Sequence, residues 1–160
     1  MNKEIVAENL RPIIEALKEA FENHLICVVL FGSKARGDDR KESDWDLFMV
    51  IKELPQSPLK RQMMIRKTIC SKFREYVNFI AKTEEEFEEG FPPLYLDLGL
   101  DGLILYDPEG YMSQRLRLIK KRIEEAGIFR IRRKDGSFTW KWKTPPQKEW
   151  RIEWNGVYAR

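Results

Sequence analysis

The chain has 160 residues, 42% of them hydrophobic and 34% charged, with a net charge of +3. That supports one core-forming domain plus a small appendage. It holds no apolar run of ~18 residues to serve as a membrane span, and its single histidine, His24, excludes a His-built zinc site or a Ser-His-Asp triad. Charges spread through residues 1–21 do not read as a signal peptide, so the expected compartment is the cytoplasm.

Residues 2–23 place Ile5, Leu10, Ile13, Ile14, Leu17, Ala20 and Phe21 at spacings of three and four, which predicts an amphipathic helix that Pro12 either kinks or starts. Ile26 to Phe31 is a short apolar run stopped by Gly32-Ser33, the mark of a buried strand. A small-and-basic segment follows, Lys34-Ala35-Arg36-Gly37, then an all-charge loop from Asp38 to Glu42. Ser43-Asp44-Trp45-Asp46 opens a second apolar run, Leu47 to Ile51. Pro55 and Pro58 break the chain. Residues 59–74 read as a helix with Met63, Met64, Ile65, Ile69 and Phe73 as its buried stripe, and Tyr76 to Ile80 as a third strand. Thr83 and Glu86 form a capping box for a short acidic helix. A helix is expected over 94–100, a short closing strand over 102–107, and a helix over 109–126 ended by Gly127. That last helix bears Arg115, Arg117, Lys120, Lys121 and Arg122. Cys27 and Cys70 sit in apolar runs and read as reduced core residues.

The tail changes character. Residues 1–110 carry a net charge of −6 and residues 111–160 a net charge of +9, a split that predicts two surfaces with different partners. Asp135-Gly136 between alternating runs predicts a hairpin. Phe138, Trp140 and Trp142 share one of its faces, Thr139, Lys141 and Lys143 the other. Trp150 to Trp154 alternates again. The aromatics either stack on nucleic-acid bases, with the cations on phosphates, or form the unit's own core. The second reading is favoured because so small a unit has little else to bury. The expected organisation is a domain over 1–126 and a basic, aromatic-rich β-hairpin extension over 127–160.

The chemistry sits at the two ends of the 32–46 segment. Residues two apart on a strand share a face, so Asp44 and Asp46 point the same way and Trp45 points opposite. Two adjacent carboxylates repel and need a cation to stay ionised together, and Mg²⁺ takes such ligands along with substrate phosphates. Gly32 lets a ligand approach the backbone closely, and Ser33 offers a hydroxyl. A phosphate-binding turn beside a metal-binding acid pair is the equipment of phosphoryl or nucleotidyl transfer. Arg36 is open between a phosphate contact and an ion pair with Asp44 or another neighbour.

Gly32-Ser33-x-Ala35-Arg36-Gly37 followed by Ser43-Asp44-x-Asp46-Leu47 resembles the signature of the DNA polymerase beta-like nucleotidyltransferase superfamily, in its minimal, stand-alone form. The resemblance implies an α/β (α+β) fold, a small mixed β-sheet flanked by helices, here with the C-terminal hairpin unit added. It implies that Gly32, Ser33 and Arg36 bind the nucleoside triphosphate, and that Asp44 and Asp46 are catalytic and bind Mg²⁺ or Mn²⁺. A nucleoside monophosphate, AMP in many relatives, would pass to a hydroxyl on a protein, an RNA or a small molecule. Small members often pair with a HEPN-type toxin and silence it by adenylylation. The family pattern also places a third carboxylate on the third strand, where this chain has Asn78. An amide carries no charge and cannot act as a base. Glu75 is three residues back and on the opposite face from Asn78, and Asp97 and Asp101 are candidates only if the helix over 94–100 packs over the site. Without a replacement, the chain reads as a weakened enzyme acting by binding, as an antitoxin-like subunit or a nucleic-acid binder through its basic tail.

Overall fold

The computed structural model describes residues 3–69, 73 and 76–159; Cys70 and Glu75 lie outside them. Its centre is a four-stranded mixed sheet built from β1 (Leu25–Phe31), β2 (Trp45–Ile51), β3 (Val77–Lys82) and β4 (Leu103–Tyr106), in the order β3-β2-β1-β4. β1 pairs antiparallel with both β2 and β4, and β2 pairs parallel with β3.

Alternation along the strands splits the core into two layers. Val28, Leu30, Leu47, Met49, Phe79 and Ala81 face α1 (Lys3–Phe21) and the buried Ile65 of α3 (Pro58–Thr68). Val29, Phe48 and Val50 face Phe87 of α4 (Glu84–Glu89), Tyr95 and Leu98 of α5 (Pro93–Asp101), and Met112, Leu116 and Ile119 of α6 (Tyr111–Ala126). β1 and β2 are covered on both sides, which is why they read as unbroken apolar runs rather than alternating ones. Cys27 is a free, buried thiol of the second layer, pushed up to about 12 mainly by burial, and so chemically quiet.

α1 runs straight through Pro12. An interior proline costs about 3 kcal/mol, whereas each fully buried Leu, Ile or Val returns about 1.5 kcal/mol or more. The stripe Val6, Leu10, Ile13, Ile14 and Leu17 spans the proline and outweighs it. α3 is shorter than the sequence suggests. It starts at the Ser57 cap, with Pro58 in its first turn, and ends at Thr68. Met63 is 52% exposed. Ile65 and Ile69 are buried, and Met64 and Phe73 pack against the same core, so Met63 is the exception within the expected stripe. The capping box at Thr83 and Glu86 is present, with both reciprocal bonds.

The tail forms two separate hairpins, β5 (Ile128–Arg132) with β6 (Phe138–Trp142), and β7 (Trp150–Glu153) with β8 (Gly156–Ala159). Gly136 takes φ +86° in the first turn, beside Asp135, whose carboxylate accepts bonds from the Ser137 amide and hydroxyl. The aromatics do not form a core of their own. Trp140, Trp150, Ile152 and Trp154 pack against the second layer of the main core. Two thin hairpins have too little mutual area to hide indole rings, and the helices above the sheet offer more. Trp154 lies among Phe87, Phe91 and Tyr95, its indole N–H donating to Gly90 O at 3.0 Å. Part of the basic charge is internal as well. Arg122 is buried and donates twice to Trp154 O, at 3.0 and 2.8 Å, and Arg115 is paired with Glu88. No helix among the described residues is long and apolar enough to cross a membrane.

Candidate active site

The residues singled out in the sequence meet where β1 ends and β2 begins. Antiparallel pairing sets Phe31 opposite Asp46, so the next residue, Gly32, lies directly beside that acid. Gly32 takes φ +76°, and a Cβ built on it would collide with the Asp46 carboxylate, whose Cγ would be 3.3 Å away. Both the backbone angle and the space require glycine. Residues Gly32–Arg36 form α2, a short helix closed by Gly37 at φ 79°. Gly37 and Asp38 both donate their amides to Ser33 O.

On the other side of β2, the parallel register places Asn78 level with Asp46. The Trp45 amide donates to Tyr76 O at 2.6 Å, which fixes the start of β2 against the segment leading into β3. The Asn78 side-chain nitrogen donates to Asp44 Oδ2 at 3.0 Å and to Asp46 Oδ1 at 3.4 Å. Asp44 and Asp46 therefore converge on one amide, while Trp45 turns to the opposite layer, packing against the α1 side of the core. Lys34 lies over the Trp45 ring at 4.6 Å and pairs with Asp39 at 3.2 Å.

Burial raises the Asp46 carboxyl above its ordinary value, and the like charge of Asp44 adds to the rise; the Asn78 bond and the Arg36 charge pull the other way. The pair's donors are two carboxylates, oxygen ligands of the class that a hard divalent cation takes, while Asn78 turns its amide nitrogen toward them. Mg²⁺ or Mn²⁺ fits this set.

Arg36 pairs with Asp38 at 3.1 Å and with Asp101 at 3.3 Å, not with Asp44. Nor does the helix over 94–100 supply the missing acid. The Asp101 side chain, 7% exposed, is bonded to Arg36 and Arg130, and Asp97 to Arg130 at 2.9 Å. Among the described residues, no group of three or more His, Cys, Asp or Glu side chains is placed to hold a metal. The sequence reading missed Arg130 and Phe138, which reach α2 from the tail. An arginine on an alternating strand carries no local sign of such a contact.

Residues 13–88 match the family described as Polymerase beta, Nucleotidyltransferase. The match takes in Gly32, Ser33, Arg36, Asp44, Asp46 and Asn78. A Methanocaldococcus jannaschii protein, MJ1305, which carries the name protein adenylyltransferase, is 27% identical over 135 residues, 80% of this chain and 92% of its own. A second from that organism, MJ0141, named likewise, is 38% identical over 61 residues, 38% of this chain and 58% of its own. Among solved structures, a chain of a toxin–antitoxin complex with AMP-PNP aligns at TM-score 0.55 and 17% identity, over 72% of this chain and 87% of that one. A chain of the Shewanella oneidensis complex of tri-AMPylated HEPN toxin with MNT antitoxin aligns at TM-score 0.50 and 14% identity, over 77% and 87%. These structural likenesses share the fold. The likeness to the polymerase beta nucleotidyltransferase family lies in residues 13–88, the stretch that holds the glycine turn and the acid pair.

Proposed function

We propose that this chain transfers AMP from ATP to a hydroxyl on a partner protein, releasing pyrophosphate. The observation that carries the reading is the convergence of Asp44 and Asp46 beside Gly32, on the strand that faces the glycine turn. Gly32 and Ser33 bind the phosphates, the glycine by leaving room beside the acids and the serine through its hydroxyl. Asp44 and Asp46 hold Mg²⁺ or Mn²⁺, which when bound neutralises phosphate charge and polarises the phosphorus under attack. Asn78 keeps the two acids at a fixed spacing and takes no proton. Deprotonating the acceptor therefore falls to an acid of the pair or to solvent. Arg36 acts from the edge, through its charge on Asp46.

The acceptor class is supported by the relatives' names, which specify protein adenylyltransferase. A HEPN-type toxin is the partner suggested by the structures that share the fold. The test is pyrophosphate release from ATP with Mg²⁺ and the partner, abolished by Asp44→Ala. Calorimetric titration with a non-hydrolysable ATP analogue that shows no Mg²⁺-dependent affinity would overturn the reading.

Asn78 favours one alternative, in which the chain binds nucleotide without turnover and silences its partner by contact. Asp44→Ala would then leave partner inhibition intact.

A further inference from the structure

We infer that the β5–β6 hairpin is a positioning element for the transfer site: Arg130, Phe138 and Arg132 hold α2 in place through Arg36 and Asp38. Its effect on nucleotide rests on the transfer reading above; the strut itself rests on contacts alone.

The contacts form a continuous chain of charges around one ring. The Phe138 ring has Arg130 at 4.2 Å, Arg36 at 4.8 Å and Arg132 at 5.0 Å from its centre. Three carboxylates alternate with these guanidiniums. Asp38 pairs with Arg36 and Arg132, Asp101 with Arg36 and Arg130, and Asp97 with Arg130. Arg130 grips Asp101 through two nitrogens, at 2.6 and 2.7 Å, and its side chain is 11% exposed. Fork-on-carboxylate bonds out of water are the strong class of ion pair, with fixed geometry. Arg36 ends α2 and Asp38 follows its cap, so the network takes hold of that helix at its far end.

α2 needs such a hold. It is five residues long, too short to be fixed by its own hydrogen bonds. It lies between Gly32 and Gly37, both at positive φ. Its near end touches Asp46 through Gly32. Its position is therefore set by side chains: Ala35 against the core, Lys34 on Trp45 and Asp39, and Arg36 on the hairpin network. A shift of α2 would change the gap between the Gly32-Ser33 turn and the acid pair, and misplacement by ~1 Å can cost ~10²-fold in a positioned reaction.

The test uses the full chain with Phe138→Ala, Arg130→Gln and Arg132→Gln. Arg132→Gln removes the Asp38 pair and the charge over the Phe138 ring, at a half-exposed side chain, and serves if the others fold poorly. Hydrogen exchange in the nucleotide-free protein reads the strut directly. The Gly37 and Asp38 amides, both bonded to Ser33 O, should exchange at least tenfold faster while β1 and β2 amides keep their rates. Affinity for a non-hydrolysable ATP analogue with Mg²⁺ should weaken about tenfold or more, and Arg130→Lys, which keeps the charge without the fork, should recover only part of it. Unchanged Gly37 and Asp38 exchange, or equal acceleration everywhere, overturns the strut whether or not nucleotide binds. Wild-type protein without Mg²⁺-dependent binding sinks the transfer reading, and the exchange result still decides the strut. Wild-type binding matched by all variants overturns the positioning role.

Discussion

Asn78 stands level with Asp46 on the neighbouring parallel strand, and its amide nitrogen reaches across to Asp44 as well. A carboxylate at that position would be a third acid in the cluster. Asn78→Asp should therefore lower the stability of the metal-free protein by about 1 kcal/mol, through like-charge repulsion at a solvent-facing position. It should also tighten Mn²⁺ binding and raise turnover at least about tenfold, an expectation taken from the ~10²–10⁴-fold worth of a placed acid or base. Mn²⁺ titration followed by electron paramagnetic resonance checks the first effect, and pyrophosphate release the second. Unchanged Mn²⁺ affinity would mean that position 78 does not face the bound metal.

Asp46 also carries a sign that runs against ordinary acid denaturation. The folded state raises the Asp46 carboxyl, so it favours the protonated form. That contribution is present below the unfolded value of ~3.9 and is lost as pH rises through the folded value. Glu86 has the opposite sign. Its bonds to Arg61, both at 2.8 Å, lower its carboxyl, so its stabilisation is present above ~4.3 and lost on acidification. Asp46→Asn should raise the thermal midpoint of the metal-free protein at neutral pH, and should abolish Mg²⁺-dependent nucleotide binding. For the wild type, metal affinity should fall on acidification from a pH above the usual carboxylate range. Calorimetry across pH 4 to 8 reads both; a lowered midpoint for Asp46→Asn would contradict the raised carboxyl.

The acid pair and the glycine turn were legible from sequence because they are local. Asp44 and Asp46 share a face by strand parity alone, and Gly32 follows directly from a run too apolar to be anything but a buried strand. Asn78 is singled out by the resemblance, whose pattern puts a third carboxylate on the third strand. What the sequence could not show were the long-range partners. Arg130 and Asp101 are 29 residues apart, Arg36 and Phe138 more than a hundred. The same alternation of Phe138, Trp140 and Trp142 fits a free-standing core, a nucleic-acid face, or the observed seating of Trp140 on the helices and Phe138 on Arg36. Strand parity says which side chains travel together and not what they meet. The helix over 59–74 ends early, at Thr68, and within its expected stripe Met63 has the spacing of a buried residue but is 52% exposed.

Gly32→Ala should separate binding from folding. The new Cβ meets the Asp46 carboxylate at a positive φ, so strain and a displaced acid arise together. Cost to stability should be about 1–3 kcal/mol, with nucleotide affinity falling further than that strain alone accounts for. Denaturant titration beside calorimetry with the ATP analogue distinguishes the two. Wild-type affinity in the Ala variant would show that the turn does not hold phosphate.

Trp154→Ala probes whether the tail is energetically separate from the rest of the chain. The indole packs on Phe87, Phe91 and Tyr95, each from a different element or loop of the main body, and donates to Gly90 O. The backbone oxygen of the same residue satisfies the buried Arg122 of α6. Emptying this site removes apolar contact from the second core layer, and any shift of the β7–β8 turn leaves a buried guanidinium without its acceptor. Truncating a packed aromatic costs about 3–5 kcal/mol when fully buried, and the partial exposure of Trp154 brings the expectation to about 2–3 kcal/mol. The loss should appear in a single cooperative transition of the whole chain, not in a minor early one. Denaturant unfolding followed both by tryptophan fluorescence and by far-ultraviolet circular dichroism reads this. Coincident, lowered midpoints support one cooperative unit, because the tail completes the layer that carries Phe48 and, two residues before it on the same face, Asp46. A wild-type main transition with only an early fluorescence change would make residues 127–160 an independently folding extension.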